Sequence, residues 1–443
     1  MTDVLVPALV RRPGTDTFDG LVESRTLRVG IVGLGYTGLP LGLGFAAAGF
    51  PVRGLDTDAA RAAQVMRGES YLPDVSDAEL ASVNSRLSAT TEPGELAGSD
   101  VLMICVPTPV TGSQQANLDY VDAALASVAP LLRRGMLLVV QSTVPPGATA
   151  AAVAAAVAGT GLEPGIDFHV AMAPERVDPA NTNGWNLANT PKVVGGLTPE
   201  CTRRAALLFG QVCRTVVPVS SLEVAELAKV FENTFRLVNI GLTLELSDLC
   251  QELGIPVREV IDAAATKPYG FLAHYPGPGV GGECIPVDPL FLREAAARAG
   301  TDMELVAAAH RRIEQRPQQV VERLGALLDR RGRSLRGAKV LLVGVSYKTG
   351  VADLRNAPAL DIVRGLRAAG AQVSYHDPLV PELEIDGAAV PAAGWTAVEL
   401  AQQDAAVLVT PVRGLEDDVL WGVPPVVLDT HNRLSAASNV AVL

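Results

Sequence analysis

The chain has 443 residues, too many for a single hydrophobic core, so two or three domains are expected. A hydrophobic content of 48% excludes disorder over most of the length, and a net charge of −12 excludes nucleic acid or an anionic membrane as the main partner. Five cysteines without a CxxC or a Cys/His spacing indicate a reduced, cytoplasmic protein with no metal.

Residues 1–26 lack a signal-peptide pattern and read as a tail, loosely ordered or lying on a neighbouring surface. No stretch approaches the ~20 apolar residues of a membrane span. From Leu27, LRVGIV, GLGYTG, a helix through Phe45 to Ala48 and PVRGLD form a βαβ unit. Gly33, Gly35 and Gly38 fall between strand and helix, where they allow a tight turn, close approach of a pyrophosphate and helix–strand packing. Asp56 closes the second strand, placed to accept from both ribose hydroxyls of NAD and to repel a 2′-phosphate. Arg61 either contacts phosphate or lies on a solvated helix face.

Further apolar runs, VLMICV, MLLVVQS, FHVAMA, KVVGG and TVVPVS, alternate with helical stretches at Tyr120–Leu132 and Gly147–Val157. That alternation implies a parallel sheet covered on both faces, ending near Ser220. Two strand ends bring hydroxyls to the crevice: CVPTPV with Val106, Pro107 and Thr108, and QSTVPPG with Ser142 and Thr143. They either bond cofactor or water, or cap the next turn. In APERVDP, Glu175 beside Arg176 and Val177 suits proton transfer if partly buried, and is otherwise a loop charge.

The period then changes to helical over Leu222–Leu253, a span without proline and close to ~50 Å long. Lys229 and Asn233 share one face of it, with Arg236 near; they either stabilise a developing alkoxide or are solvated. Helices at Val257–Ala265 and Pro289–Leu328 flank the loop HYPGPGVGGECIPVDPLFL, whose glycines and prolines cannot continue a helix or strand. A thiol there, Cys284, with Asp288 four residues on, has the setting of a nucleophile. After the basic hinge RRGRSLRGA, the runs KVLLVGV, AQVSYHD, AAVLVTP and PVVLDTH build a second nucleotide-binding-like domain, with Lys348 and Arg355 beyond its first strand to meet phosphate or carboxylate. The expected fold is α/β: two Rossmann-like doubly wound domains joined by a helical domain with one long central helix. The expected limits are 1–26 for the tail, then 27–220, 221–328 and 329–443.

Taken in order, GLGYTG, CVPTP, STVPPG, PERV, KxxEN, GPGVGGECIPVDP, YKxxxxDLR and DTHN resemble the UDP-glucose/GDP-mannose dehydrogenase family from about Leu27 to Arg433. The resemblance implies a four-electron oxidation of a sugar C6 hydroxyl to carboxylate, with two NAD+ and a cysteine-bound thiohemiacetal and thioester. Cys284 would be the nucleophile and Lys229 the oxyanion stabiliser. Asn233 and Asp288 would hold or activate hydroxyl and water, while Glu175 and Thr143 would assist proton transfer and thioester hydrolysis. NAD contacts would include Gly35, Tyr36, Thr37, Asp56, Arg61, Thr108, Thr143 and Arg355. A nucleoside-diphosphate sugar would meet Glu175, Arg176, Lys229, Asn233, Arg236, Tyr275, Gly279 and Lys348, and a homodimer would form through the helical segment.

The chain departs from the family pattern where Glu283 precedes the cysteine in place of a common His, at Leu244-Glu245, Pro179-Ala180 and Thr349-Gly350, and where His431 replaces an Arg. These positions bear on sugar and base recognition. UDP-glucose or dTDP-glucose is expected ahead of UDP-N-acetylhexosamines, although NTPKVVGG resembles members acting on the latter. A one-step β-hydroxyacid dehydrogenase and a non-catalytic sensor are the other readings.

Overall fold

The computed structural model describes residues 17–72, 74–112, 114–178, 184–415, 418–435 and 437–443. Most of the expected tail and the Pro179-Ala180 departure lie outside them. The chain divides into two compact units, one running through Phe231 and taking in Leu290–Ala295, the other made of Glu232–Pro289 and Ala296–Leu443.

In the first unit, β1 (Val29–Val32), β2 (Val52–Leu55), β3 (Leu87–Thr90), β4 (Val101–Ile104), β5 (Leu137–Val140), β6 (His169–Met172), β7 (Lys192–Gly196) and β8 (Val216–Val219) form one sheet in the order β3-β2-β1-β4-β5-β6-β7-β8. VGIV, VLMI, LLVV and HVAM are buried at every position, as expected of strands covered on both faces. The order reverses between β1 and β4, the switch point at which doubly wound sheets bind ligands. Strand β3, LSAT, has only its end residues buried and so carries no continuous apolar signal. The sheet is not wholly parallel, since β7 runs antiparallel to β6. Pro218 is accommodated in β8 because that strand forms an edge and is partly exposed.

Of the expected tail, residues 17–26 are described. Thr17 caps a helix over Phe18–Glu23, whose Phe18, Leu21 and Val22 are buried in the core of this unit. Arg203 holds Asp19 at 2.9 Å, so these residues pack on the unit, the second of the two expected placements. At its other end the unit passes the expected limit of 220, because Leu222 and Ala225 of the long helix are buried in its core.

The long helix runs over Leu222–Leu253, as its periodicity predicts. Within the second unit it passes the helix Glu304–Glu314 at Gly241, where a Cβ would stand 3.0 Å from that of Ala309. A second sheet follows: β9 (Lys339–Val343) and β10 (Gln372–His376), a small hairpin of β11 (Glu384–Ile385) and β12 (Ala388–Ala389), then β13 (Ala405–Leu408), β14 (Val427–Asp429) and β15 (Val440–Val442). The order β10-β9-β13-β14-β15 is parallel throughout and again reverses beside its first strand. The helix Arg316–Asp329, assigned by period to the helical segment, contributes Val320, Val321, Leu324 and Leu328 to the core beneath this sheet. Among the described residues no helix is long and apolar enough to cross a membrane.

Candidate active site

The glycine turn lies at the carboxyl end of β1. Gly33 has φ +90°, and a Cβ there would come within 2.7 Å of the Cys105 carbonyl oxygen. Gly38 opens the helix Gly38–Ala47, and a Cβ on it would fall 1.8 Å from the Gly33 oxygen. Gly35 faces open space. The first and third glycines therefore close the turn, while the second leaves room for a phosphate group to approach. Tyr36 and Thr37 follow in the turn, Tyr36 being exposed. Asp56 is buried beyond β2 and accepts from the backbone N–H of Leu34 at 2.8 Å and of Asp58 at 2.9 Å. The Tyr71 hydroxyl donates to the Leu34 carbonyl, so the turn is braced from both sides. Burial, with the charge of Asp56, pushes the Tyr71 phenol up. Arg61 lies 3.9 Å from Asp56 and 3.5 Å from Asp58, its guanidinium over the Tyr71 ring. These features fit a dinucleotide without a 2′-phosphate.

Val106, Pro107 and Thr108 continue from β4, and Ser142 and Thr143 from β5, on the same edge of the sheet. The Ser142 hydroxyl donates to the Val106 carbonyl at 2.6 Å. It ties the two crevice segments together, a contact that is neither of its two expected roles. Behind them lies a cluster whose members fall in separate motifs that do not announce their meeting. Lys192 is 2% exposed, and its ammonium donates to Gln141 Oε1 at 2.7 Å and to Glu175 Oε2 at 3.2 Å, 5.4 Å from the Phe209 ring centre. The other Glu175 oxygen accepts from the N–H of Arg176 at 2.7 Å and of Val177 at 2.8 Å. Burial would push this carboxyl up, but Lys192 and the two backbone donors outweigh it and hold it below its ordinary value. Glu175 is thus an ionised carboxylate. Arg176 points elsewhere, donating to the Pro191 carbonyl at 2.6 Å. The one visible signal was a lysine opening the otherwise apolar run KVVGG.

Glu226, on the first turns of the long helix, is fully buried and accepts from Gly147 N at 2.6 Å and Thr149 N at 2.9 Å, capping the helix Ala148–Ala156. Lys229, half-buried, follows three residues later.

In the second unit, Cys284 is exposed, whereas the other four cysteines are buried. Its carbonyl accepts from Asp288 N at 2.9 Å at the head of the helix Asp288–Arg298. Asp288, 3% exposed, accepts from Asn233 Nδ2 at 2.6 Å, so two predicted residues from distant parts of the chain meet. The glycines before the thiol allow the loop to lie flat on the segment after β9. A Cβ on Gly281 would reach the Tyr347 side chain at 2.6 Å and the Asn356 carbonyl at 2.8 Å, Gly282 N donates to Arg355 O at 2.8 Å, and Asn356 Nδ2 donates to Gly282 O at 3.0 Å. Arg355, predicted as a cofactor contact, has its guanidinium engaged by Asp353 at 2.6 Å and by Glu283. The carboxylate beside the thiol thus shares the single positive charge of Arg355 with Asp353, which offsets it in part. Replacing Arg355 with alanine is expected to slow alkylation of Cys284 by iodoacetamide about two- to fivefold near neutral pH, through the unpaired Glu283 charge. Adding Glu283→Gln should restore the rate; an unchanged rate in the single variant would show that this charge does not reach the sulfur.

A cavity of about 230 Å³ opens at the carboxyl ends of β9, β13 and β14, lined in part by Pro278, Gly279, Tyr347, Lys348, His431 and Arg433. It lies at the switch point of the second sheet. Gly279 has φ +137°, with Pro358 3.2 Å from where a Cβ would be. His431 Nε2 donates to the Val409 carbonyl at 2.9 Å, and burial lowers its pKa, so it enters the cavity wall as a neutral ring. Lys348 and Arg433 bring positive charge to the cavity wall. Tyr275 donates instead to Asp262 at 2.7 Å beneath Arg258, and Arg236 is exposed on the long helix.

Models of the UDP-glucose/GDP-mannose dehydrogenase family match the chain in order: its NAD binding domain over residues 27–213, its central domain over 223–314 and its UDP binding domain over 341–436. The UDP-N-acetyl-D-glucosamine 6-dehydrogenase of Pseudomonas aeruginosa is 36% identical over 358 residues, covering 80% of this chain and 84% of that protein. The structure of UDP-D-ManNAc dehydrogenase from Pyrococcus horikoshii superposes with a TM-score of 0.86 at 30% identity, covering 94% of this chain and 98% of the other. That of a UDP-glucose dehydrogenase from Pyrobaculum islandicum gives 0.82 at 26% identity, covering 98% of each. With three family domains matched in order and a full-length likeness in fold, the chain belongs to the UDP-glucose/GDP-mannose dehydrogenase family of NAD-dependent nucleotide-sugar oxidoreductases.

Proposed function

We propose that the chain is a UDP-N-acetylhexosamine 6-dehydrogenase, which takes the C6 hydroxyl to a carboxylate at the expense of two NAD+. The sugar assignment moves away from glucose because the relatives acting on N-acetylglucosamine and N-acetylmannosamine are nearer in identity than the glucose enzyme. The observation that carries the chemistry is Cys284: an exposed thiol on a glycine loop clamped by Arg355 and Asn356, next to the Asn233–Asp288 pair.

In this reading Cys284 attacks the aldehyde formed at C6, and the covalent adduct cannot diffuse away between the two oxidations. Bound NAD supplies the hydride acceptor. The adduct passes from thiohemiacetal to thioester, which water then hydrolyses. Lys229 stabilises the developing oxyanion. Asn233 and Asp288 orient the hydroxyl and the water, and Glu175, with Thr143, takes a proton from that water. Gly33, Gly35, Gly38 and Asp56 seat the cofactor. Lys348, Arg433 and the Gly279 segment receive the nucleoside diphosphate. The domains are a cofactor domain, a helical domain and a nucleotide domain. Exposed Leu227, Phe231, Phe235, Leu242, Leu249 and Leu253 form an apolar stripe along the long helix, and a second copy of the chain would cover it to form a homodimer. The four buried, unpaired cysteines suit a reducing cytoplasm.

Purified protein should be mixed with NAD+ and each of UDP-N-acetylglucosamine, UDP-N-acetylmannosamine, UDP-glucose and dTDP-glucose. Two NADH per sugar and a uronate product are expected with an N-acetylhexosamine, at least ~10-fold faster in kcat/KM than with either glucose nucleotide. Preference for glucose would overturn the sugar assignment, and one NADH with a free ketone would overturn the reaction. Sedimentation as a monomer would remove the dimer.

A further inference from the structure

We infer that Lys192 is a positioning residue of the active site, clamping Glu175 and Gln141 so that the two crevice segments they begin are held together and the carboxylate is presented to the reacting water. The inference deepens the proposed reaction and rests on it.

The topology explains why a lysine can do this here. Strand β7 reverses direction against β6, with Met172 opposite Gly195 and Ala171 opposite Gly196. Continued by three residues, that register sets Lys192 opposite Glu175. A parallel β7 would have put its first residue at the far edge of the sheet; the reversal delivers it to the edge where β4, β5 and β6 end, which is the edge of the cofactor crevice. The ammonium then finds one acceptor on each neighbouring segment, Gln141 at 2.7 Å and Glu175 at 3.2 Å, with the Phe209 ring below. Gln141 leads directly into Ser142 and Thr143. Glu175 leads into Arg176 and Val177, whose N–H groups fix its other oxygen. One buried cation thus sets the separation of a segment assigned to cofactor and water and a segment assigned to proton transfer.

The electrostatic consequence has a definite sign. Burial favours the neutral form of Glu175, and the Lys192 charge and the two backbone donors reverse that preference. Among the described residues the thiols of Cys105 and Cys213 also face the pair, pushed by burial up to about 12 and about 11, hence neutral at working pH. Without Lys192, burial is opposed by the backbone donors alone, and the carboxyl takes up its proton at higher pH. A reaction that requires ionised Glu175 then loses rate on the acid side earlier.

The test is the pH profile of kcat, with the NADH stoichiometry followed, for wild type, Lys192→Met and Lys192→Arg. In Lys192→Met the acid limb should move up by about one pH unit or more, and kcat at mildly acidic pH should fall about 10-fold or more. Lys192→Arg keeps the charge and should return the limb towards its wild-type position. Should Lys192→Met not accumulate as folded protein, Lys192→Gln keeps a donor, removes the charge and carries the same expectation. A lowered melting temperature with an unmoved acid limb would show a merely structural lysine and overturn the inference. Because the wild type is assayed alongside, its failure to oxidise any sugar nucleotide would count against the proposed reaction, whereas a normal wild type with an unmoved limb in the variants would count against Lys192 alone.

Discussion

Cys284→Ser is expected to abolish full oxidation of the sugar nucleotide, with kcat for the second NADH lowered on the order of 10³-fold or more. The thiol is exposed on a loop whose backbone is bonded at Gly282 to Arg355 and Asn356, so replacing one sulfur by oxygen leaves the fold untouched. What changes is the chemistry. A hydroxyl is a poorer nucleophile than a thiol at neutral pH, and an ester is a poorer acyl carrier than a thioester. Any residual turnover should stop after one NADH and release or hydrate the aldehyde. Quantifying NADH per sugar in single-turnover reactions checks this, and retention of two NADH would remove the covalent pathway and reopen the one-step dehydrogenase reading.

Gly38→Ala should have the next largest effect, and through geometry alone. The added Cβ would meet the Gly33 carbonyl oxygen at 1.8 Å, a distance no rotamer can relieve because both atoms belong to backbone or Cβ. The helix Gly38–Ala47 must then withdraw from the turn, although Leu39, Leu41 and Phe45 bind it into the core. Overpacking of this kind costs roughly 3 kcal/mol or more, several degrees of melting temperature for a unit of this size. NAD+ affinity should fall at least ~10-fold as well, since the turn that receives the pyrophosphate is displaced. Calorimetric melting and cofactor titration measure the two separately. Gly35→Ala is the control, because nothing stands within 4 Å of a Cβ there. It should spare stability while still crowding the cofactor.

How far the sequence can be read follows from these examples. Glycine fingerprints, continuous apolar strands and the helical period over Leu222–Leu253 report local backbone requirements, so they survive intact into the structure. The same holds for the Cys284 loop, whose composition is imposed by close backbone contacts. What pattern did not reveal depends on partners distant in the chain. Lys192 has no local reason to be special and acquires one only when β7 reverses against β6. Arg355 was assigned to the cofactor on its motif, but whether it meets Asp353 and Glu283 is a tertiary fact. The helix Arg316–Asp329 was placed in the helical segment because period tells which face is apolar, not which core receives it.

Glu226 caps the helix Ala148–Ala156 from a position 79 residues beyond Gly147 and 77 beyond Thr149. Caps are ordinarily local, formed by the residue just before a helix, and so are made early and at little entropic expense. This one closes a long loop first, which makes the end of that helix a late event in folding. As the chain leaves the ribosome, the cofactor half cannot finish until the opening turns of the central helix have followed it out. A fragment cut at 220, where the sequence pattern changes, would leave Gly147 and Thr149 without their acceptor and Leu222 and Ala225 missing from the core.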